Sequence, residues 1–183
     1  MPYTVTTTVF PEVHILSPKV FGDQRGYFFE SFNKKDFQKA TGLDVEFVQD
    51  NHSRSVKGVL RGLHYQLQHP QGKLVRVTQG TVYDVIVDIR RSSSNFGKWF
   101  GLELSAENKL QLWFPEGFAH GFLVTSESAE FIYKTTDYWY PEYEHSLHWN
   151  DPEIGIHWPL DIQPIISAKD ESASALELIE TFE

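Results

Sequence analysis

Cysteine is absent from this 183-residue chain, which excludes disulfides and cysteine-ligated metal sites. Positive charge is scarce: 16 Lys and Arg against 25 Asp and Glu give a formal net charge of −9. So acidic a chain is a poor partner for a nucleic-acid backbone, and an anionic ligand must be held by local Arg and Lys against the overall field. From Glu142 onward the imbalance sharpens to ten acids and one lysine, Lys169. Long apolar runs are missing too. No stretch approaches a membrane span, and MPYTVTTTVF lacks the basic and apolar regions of an export signal, so a cytoplasmic location without membrane contact is expected. No repeat, low-complexity stretch or linker divides the chain, and residues 1–183 read as one domain.

Short strands dominate what is present. Tyr3–Phe10 alternates with period two and is rich in β-branched residues; at a terminus, such a strand can pair at home or be donated to a second subunit. Glu12–Ser17 continues in extended form, and Phe21–Phe32 reads as a turn around Gly22–Asp23 followed by an aromatic strand. Asn33–Thr41 is a helix with Asn33 as N-cap and Gly42 at its stop. Val45–Val48 is a short strand. Leu74–Thr78 and Thr81–Ile89 flank Gln79-Gly80 as a hairpin, and Trp99–Leu104 pairs with Leu110–Phe114. Strands follow at Ala119–Val124, Glu130–Lys134 and Leu147–Trp149, and Ser172–Thr181 reads as an amphipathic helix with Ala173, Leu176 and Ile179 on one face. About ten strands at roughly ten-residue spacing indicate an all-β sandwich or barrel. The Cys…Trp…Cys pattern of immunoglobulin sandwiches cannot exist here, so the expectation is a double-sheet jelly roll, whose tapered interior suits a small molecule.

The stretch Gly58–Lys73, GVLRGLHYQLQHPQGK, concentrates the chemistry in Arg61, His64 and Lys73. Side chains alternate along a strand, so Arg61 and Leu63 point one way and His64 the other, unless Gly62 bulges. Taken alone these groups read blandly. His64 is then a half-buried histidine bonded to a carbonyl, Lys73 a solvated strand end, Tyr133 a strand tyrosine with its hydroxyl at the rim, Arg25 a turn arginine paired with Asp23, and Lys169 a surface charge beside Asp170.

Their company changes that reading. Gly58, five residues, His64 and then Gln66, followed later by Pro115-Glu116-Gly117-Phe118-Ala119-His120, resemble the two halves of the cupin jelly-roll signature. Gln66 stands where the signature has its second His, and a neutral amide oxygen is a weak ligand, so neither a metal nor any other cofactor is expected. Further, DQRGYFFE, FVQDN, LRGLHYQ, QGKLVRV, PEGFAHGF, YKTTDYW, HWNDPEIGIHWP and SAKD occur in this order from about Gly22 to Asp170. Together they resemble the dTDP-4-dehydrorhamnose 3,5-epimerases, a metal-free cupin family of deoxysugar nucleotide synthesis.

That resemblance implies inversion of the carbons on either side of the ketone in dTDP-4-dehydro-6-deoxy-D-glucose, through an enolate. It implies His64 as the base, Asp170 on its other ring nitrogen, Tyr133 as the acid on the far ring face, and Lys73 beside the ketone oxygen. Arg25 and Arg61 would grip the diphosphate, and Glu30, Gln49, Asn51, His120, Glu144 and Lys169 would contact nucleotide or sugar. The family's thymine-stacking tyrosine falls six residues after the acid, at Trp139, with Tyr138 before it. The family's N-terminal part reaches a neighbouring site, which implies a homodimer with Arg25 and Glu30 acting in trans. His14, His52, His69, His145, His148 and His157 show no metal spacing and are read as surface or rim. Three other readings stay open: a relative that inverts one carbon only, a metal-dependent cupin enzyme, and a sugar-nucleotide sensor without turnover.

Overall fold

Residues with period-two alternation and β-branched side chains settle into strands when a second apolar surface is available to cover them. A computed structural model describes residues 2–183. The chain begins with β1 (Thr4–Thr7) and β2 (His14–Ser17), then a small hairpin of β3 (Phe21–Asp23) and β4 (Gly26–Phe28). Helix α1 (Lys34–Thr41) precedes β5 (Gln49–Val56) and β6 (Leu60–Gln66). Next come β7 (Lys73–Gln79), β8 (Thr81–Asp88), β9 (Trp99–Ser105) and β10 (Gln111–Phe114). The last strands are β11 (Phe118–Val124), β12 (Ser128–Thr135) and β13 (Glu144–Ser146), and the one-turn helix α2 (Ala168–Glu171) follows.

Two antiparallel sheets face each other, one in the order β1-β2-β10-β7-β12-β5 and the other in the order β13-β6-β11-β8-β9. This is the expected jelly-roll arrangement. Val75, Val77, Leu112 and Phe131 from the first sheet meet Val82, Ile86, Phe122 and Val124 from the second. The outer face of the first sheet is covered by α1, whose Phe37 packs edge-on against Trp113. Asn33 caps α1 by accepting from the Lys35 and Asp36 amides, and the helix ends at Gly42, as its sequence predicts. The outer face of the second sheet is covered by the chain after β13, through Ile154, Ile156 and Leu176.

Several local expectations need correction. β7 and β8 are not a hairpin: the chain crosses at Gly80 (φ +74°) from one sheet to the other, and β9 and β10 are likewise split between sheets. Only so can the inward rows Val75/Val77 and Val82/Ile86 cover each other. Period two shows which face is buried but not which strand lies alongside. The first turn falls at Gln24–Arg25 rather than Gly22–Asp23. Val45–Val48 is not a strand, because Val45 and Phe47 spend their side chains on the α1 cluster; the polar strand β5 follows instead. The strand expected at Leu147–Trp149 lies three residues earlier, in β13. Ser172–Thr181 is no amphipathic helix but an extended segment with a 3₁₀ turn at Leu176–Leu178, pinned where the Leu176 amide donates to buried Asp151 at 2.6 Å.

β6 and β11 pair tightly, and their register shifts between His120 and Phe122. Gly62 lies at this break with φ +113°, and a Cβ there would meet the Gly121 Cα and the His120 carbonyl oxygen, each at 2.6 Å. The neighbours are backbone and cannot yield cheaply. Gly62→Ala is therefore expected to destabilise the fold by about 3 kcal/mol or more, read by urea unfolding; an unchanged midpoint would show that the two strands part without cost.

Candidate active site

The break at Gly62 decides which side chains of β6 meet the space between the sheets. Strict alternation would put Arg61 and His64 on opposite faces. Instead both line a cavity of about 370 Å³, while Leu63 turns outward into the second cluster. The second sheet also contributes His120 from β11 and Glu144 from β13. Across from them, the first sheet contributes Lys73 from β7, Tyr133 from β12 and Asn51 from β5. The cavity is thus walled by both layers of the sandwich.

His64 Nε2 lies 2.5 Å from Asp170 Oδ1, across 106 residues of chain. Asp170 sits on α2 with 3% exposure; its amide donates to Ser167 Oγ, and its Oδ2 lies 3.4 Å from the Gly62 amide. Burial pushes the Asp170 carboxyl up, but the His64 hydrogen bond and charge, with Gly62 and Ser167, outweigh it and hold the group below the usual carboxylate range. An ionised carboxylate only accepts, so Nε2 carries the proton and Nδ1 is the basic nitrogen facing the cavity. Glu144 Oε1 is 3.8 Å from Nδ1, and Glu144 Oε2 is hydrogen-bonded to Lys169.

Lys73 is no solvated strand end. It is 8% exposed, and burial pulls its ammonium down to about 8, against the charges of Glu144 and Asp84. Its Nζ lies 6.0 Å from the centre of the Tyr133 ring. Burial, then the Glu144 charge, pushes the Tyr133 hydroxyl up, so it keeps its proton at neutral pH. Tyr133 is half-buried in the cavity wall rather than left at the rim. The site therefore presents a carboxylate-held imidazole on one sheet and a buried ammonium beside a protonated phenol on the other.

The mouth is built from amides and an indole. Gln49 Nε2 donates to Asn51 Oδ1 at 2.9 Å, and Gln49 Oε1 accepts from the Trp139 amide at 3.0 Å. Arg61 Nε donates to Ser55 Oγ, leaving the rest of its guanidinium at the cavity. Trp139 is half exposed and lines the mouth, whereas its neighbour Tyr138 does not. Gln66 donates to the His69 and Tyr138 carbonyls and accepts from the Tyr140 amide, so it is spent on the loop that carries Trp139. Among the described residues, no group of three or more His, Asp or Glu side chains is placed to hold a metal ion.

Besides Tyr138, two expected residues are not brought to the cavity by this chain. Arg25, at the tip of the β3–β4 hairpin, pairs with Asp23 and its side chain is 90% exposed. Glu30 accepts from Asn33 near the start of α1. Lys169 reaches the site only through Glu144. Conversely, the cavity includes His52, Gln71 and the stacked pair Phe122–Phe131, which sequence reasoning passed over. Gln71 falls within QGKLVRV, two residues before Lys73 and outside β7, so its motif rather than strand alternation is its signal; His52, read as surface or rim, lines the cavity.

Known proteins resemble this chain in sequence and in fold. The model of the dTDP-4-dehydrorhamnose 3,5-epimerase family matches residues 7–177. A dTDP-4-dehydrorhamnose 3,5-epimerase of Pseudomonas aeruginosa is 59% identical over 170 residues, covering 93% of this chain and 94% of the relative. One from Salmonella typhimurium is 58% identical over 94% of this chain and 95% of its own. Among solved structures, a dTDP-6-deoxy-D-glucose-3,5-epimerase of Legionella pneumophila in complex with dTDP-4-keto-L-rhamnose superposes with a TM-score of 0.95. It is 53% identical, over 97% of this chain and 95% of that one. Alike in sequence along nearly its whole length, and in fold as closely, the chain belongs to the dTDP-4-dehydrorhamnose 3,5-epimerase family.

Proposed function

We propose that this protein is an isomerase that inverts C3 and C5 of dTDP-4-dehydro-6-deoxy-D-glucose, yielding dTDP-4-dehydro-L-rhamnose. The observation that carries the reading is the 2.5 Å bond from His64 to Asp170, facing Tyr133 and Lys73 across one cavity. A proton α to a ketone leaves only if a base is placed and the enolate is stabilised. His64 Nδ1 takes the proton, and Asp170 stabilises the imidazolium that forms. Negative charge gathers on the ketone oxygen, and Lys73 meets it with a positive charge in a water-poor wall. Tyr133, on the opposite sheet, returns a proton to the other face of the carbon, and the configuration inverts. Arg61, Asn51, Gln49, His120, Glu144 and Lys169 hold nucleotide or sugar, and Trp139 stacks on the base. The likeness to an epimerase holding dTDP-4-keto-L-rhamnose supports this substrate class.

Arg25 and Glu30 fit the same reading in a homodimer. The β3–β4 hairpin exposes Phe21, Tyr27 and Phe28 beside Arg25, away from this chain's own cavity. Such a projection suits insertion at a second copy's site. If so, mixing inactive Arg25→Ala and His64→Ala proteins under subunit exchange restores up to about a quarter of wild-type turnover, because mixed dimers hold one intact site. No recovery would place Arg25 outside the neighbour's site.

Incubation with the 4-keto sugar nucleotide in heavy water tests the reaction. Mass spectrometry and NMR should find deuterium at both C3 and C5. Label at one carbon would mean a single-site reaction, and no label with ligand bound would mean a sensor. His64→Ala and Asp170→Ala should lower the labelling rate by orders of magnitude with modest effect on binding; near-native rates in either would remove the pair from the mechanism.

Lys73 gives a pH signature. Its proton is present at neutral pH and lost as pH rises through about 8, so turnover should fall over that range. Holding the ammonium in the wall costs about 3 kcal/mol at neutral pH, because the unfolded chain keeps that proton to a higher pH. The cost is relieved as pH rises above about 8. Lys73→Met should therefore melt higher than wild type at pH 7 while losing orders of magnitude in turnover; a lower melting temperature would contradict the buried charge.

A further inference from the structure

The inward row of β8 reads Val82, Asp84, Ile86. Val82 and Ile86 belong to the apolar core between the sheets, and Asp84 stands between them with 0% exposure. A carboxylate there is costly unless paired. Among the described residues its one hydrogen bond is to His120, whose Nε2 lies 2.9 Å from Asp84 Oδ2, while Oδ1 has no partner. His120 is buried as well, lines the cavity, and stands directly across from His64 in the β11–β6 register. Nothing in the reaction assigned above uses Asp84.

We propose that Asp84 is a positioning residue for the sugar: its carboxylate fixes His120 as the Nε2–H tautomer, so that Nδ1 meets the substrate as acceptor for a sugar hydroxyl. The inference rests on the sugar-nucleotide reading and deepens it. A carboxylate only accepts, so the proton shared with Asp84 belongs to Nε2. Burial pushes the His120 imidazole below the usual histidine range, against the Asp84 charge and with the charges of Lys73 and His64, so Nδ1 keeps its lone pair. That nitrogen has no hydrogen bond among the described residues. The cross-strand histidines thus share one tautomer but differ in surroundings. His64 is partly open and bonded to Asp170; His120, enclosed, stays neutral and reads a donor. An acceptor in a dry wall favours a hydroxyl over a carbon that lacks one, since an unmatched partner forfeits its hydrogen bond.

Asp84→Asn tests this, because the amide fills the same space and can turn its NH₂ toward Nε2. Correlation of imidazole ¹⁵N with carbon-bound ring protons reports the His120 tautomer, with His120→Gln supplying the assignment. Labelling in heavy water reports turnover. Wild type should show Nε2–H, and Asp84→Asn a mixed or reversed tautomer. The variant should label about ten- to a hundredfold more slowly, while melting no lower than wild type because a buried charge is gone. The inference is overturned by Nδ1–H in the wild type, by an unchanged tautomer in Asp84→Asn, or by wild-type labelling with a changed tautomer. Should wild type label neither carbon, the sugar-nucleotide reading fails, and the His120 tautomer still decides whether Asp84 sets that ring.

Discussion

Gly62 and Gly121 face each other across β6 and β11 with no room for a side chain between them, and the pocket side of β6 is arranged by that approach. A strand of strict period would turn either Arg61 or His64 away from the space between the sheets. The register break keeps both there and sends Leu63 outward to help hold the covering C-terminal segment. That segment carries α2, and α2 carries Asp170 back to His64. The close backbone contact thus sets both the direction of the imidazole and the docking of the element that supplies its carboxylate.

Charge is distributed with the same economy. The chain is acidic overall, yet the cavity holds a lysine, three histidines and an arginine, each beside a carboxylate or a polar partner. Lys73 sits within reach of the charges of Glu144 and Asp84, His64 is bonded to Asp170, and His120 to Asp84. No single pair in such a wall would offset the cost of leaving water. Interleaved, the opposite charges moderate one another, and the ammonium keeps its proton at neutral pH. The site is therefore less stable than an apolar core of the same volume, a usual condition where groups must be ready to act.

Much of this was legible in the sequence. The motifs from Asp23 to Asp170 fix the family by their order, and period-two strands with Asn33 and Gly42 at a helix's ends fix the class of fold and its one long helix. What stayed hidden was pairing between layers. Gln79-Gly80 reads as a hairpin turn because local chemistry is the same whether a chain folds back beside itself or crosses to a facing sheet. The C-terminal segment was misread because Ala173, Leu176 and Ile179 fit a helical stripe, whereas Asp151 and the outer apolar face hold it extended. Asp84 carries a signal of its own: a charged residue on the inward row of TVYDVIVD, where alternation demands an apolar one. His64, Lys73 and Tyr133 were found by resemblance to a family, and alternation by itself would have separated His64 from Arg61.

The loop that presents Trp139 is held almost wholly by main-chain groups: the Tyr138 carbonyl and the Tyr140 amide on Gln66, the Trp139 amide on Gln49. These anchors are indifferent to which side chain stands at position 139. The platform at the mouth can exchange one ring for another without disturbing the loop's path, but the hydrogen bond from the Trp139 side chain to Glu144 goes with the indole. On the proposed reading, a lineage can drift in the nucleotide it favours as far as Glu144 tolerates the new ring beside it.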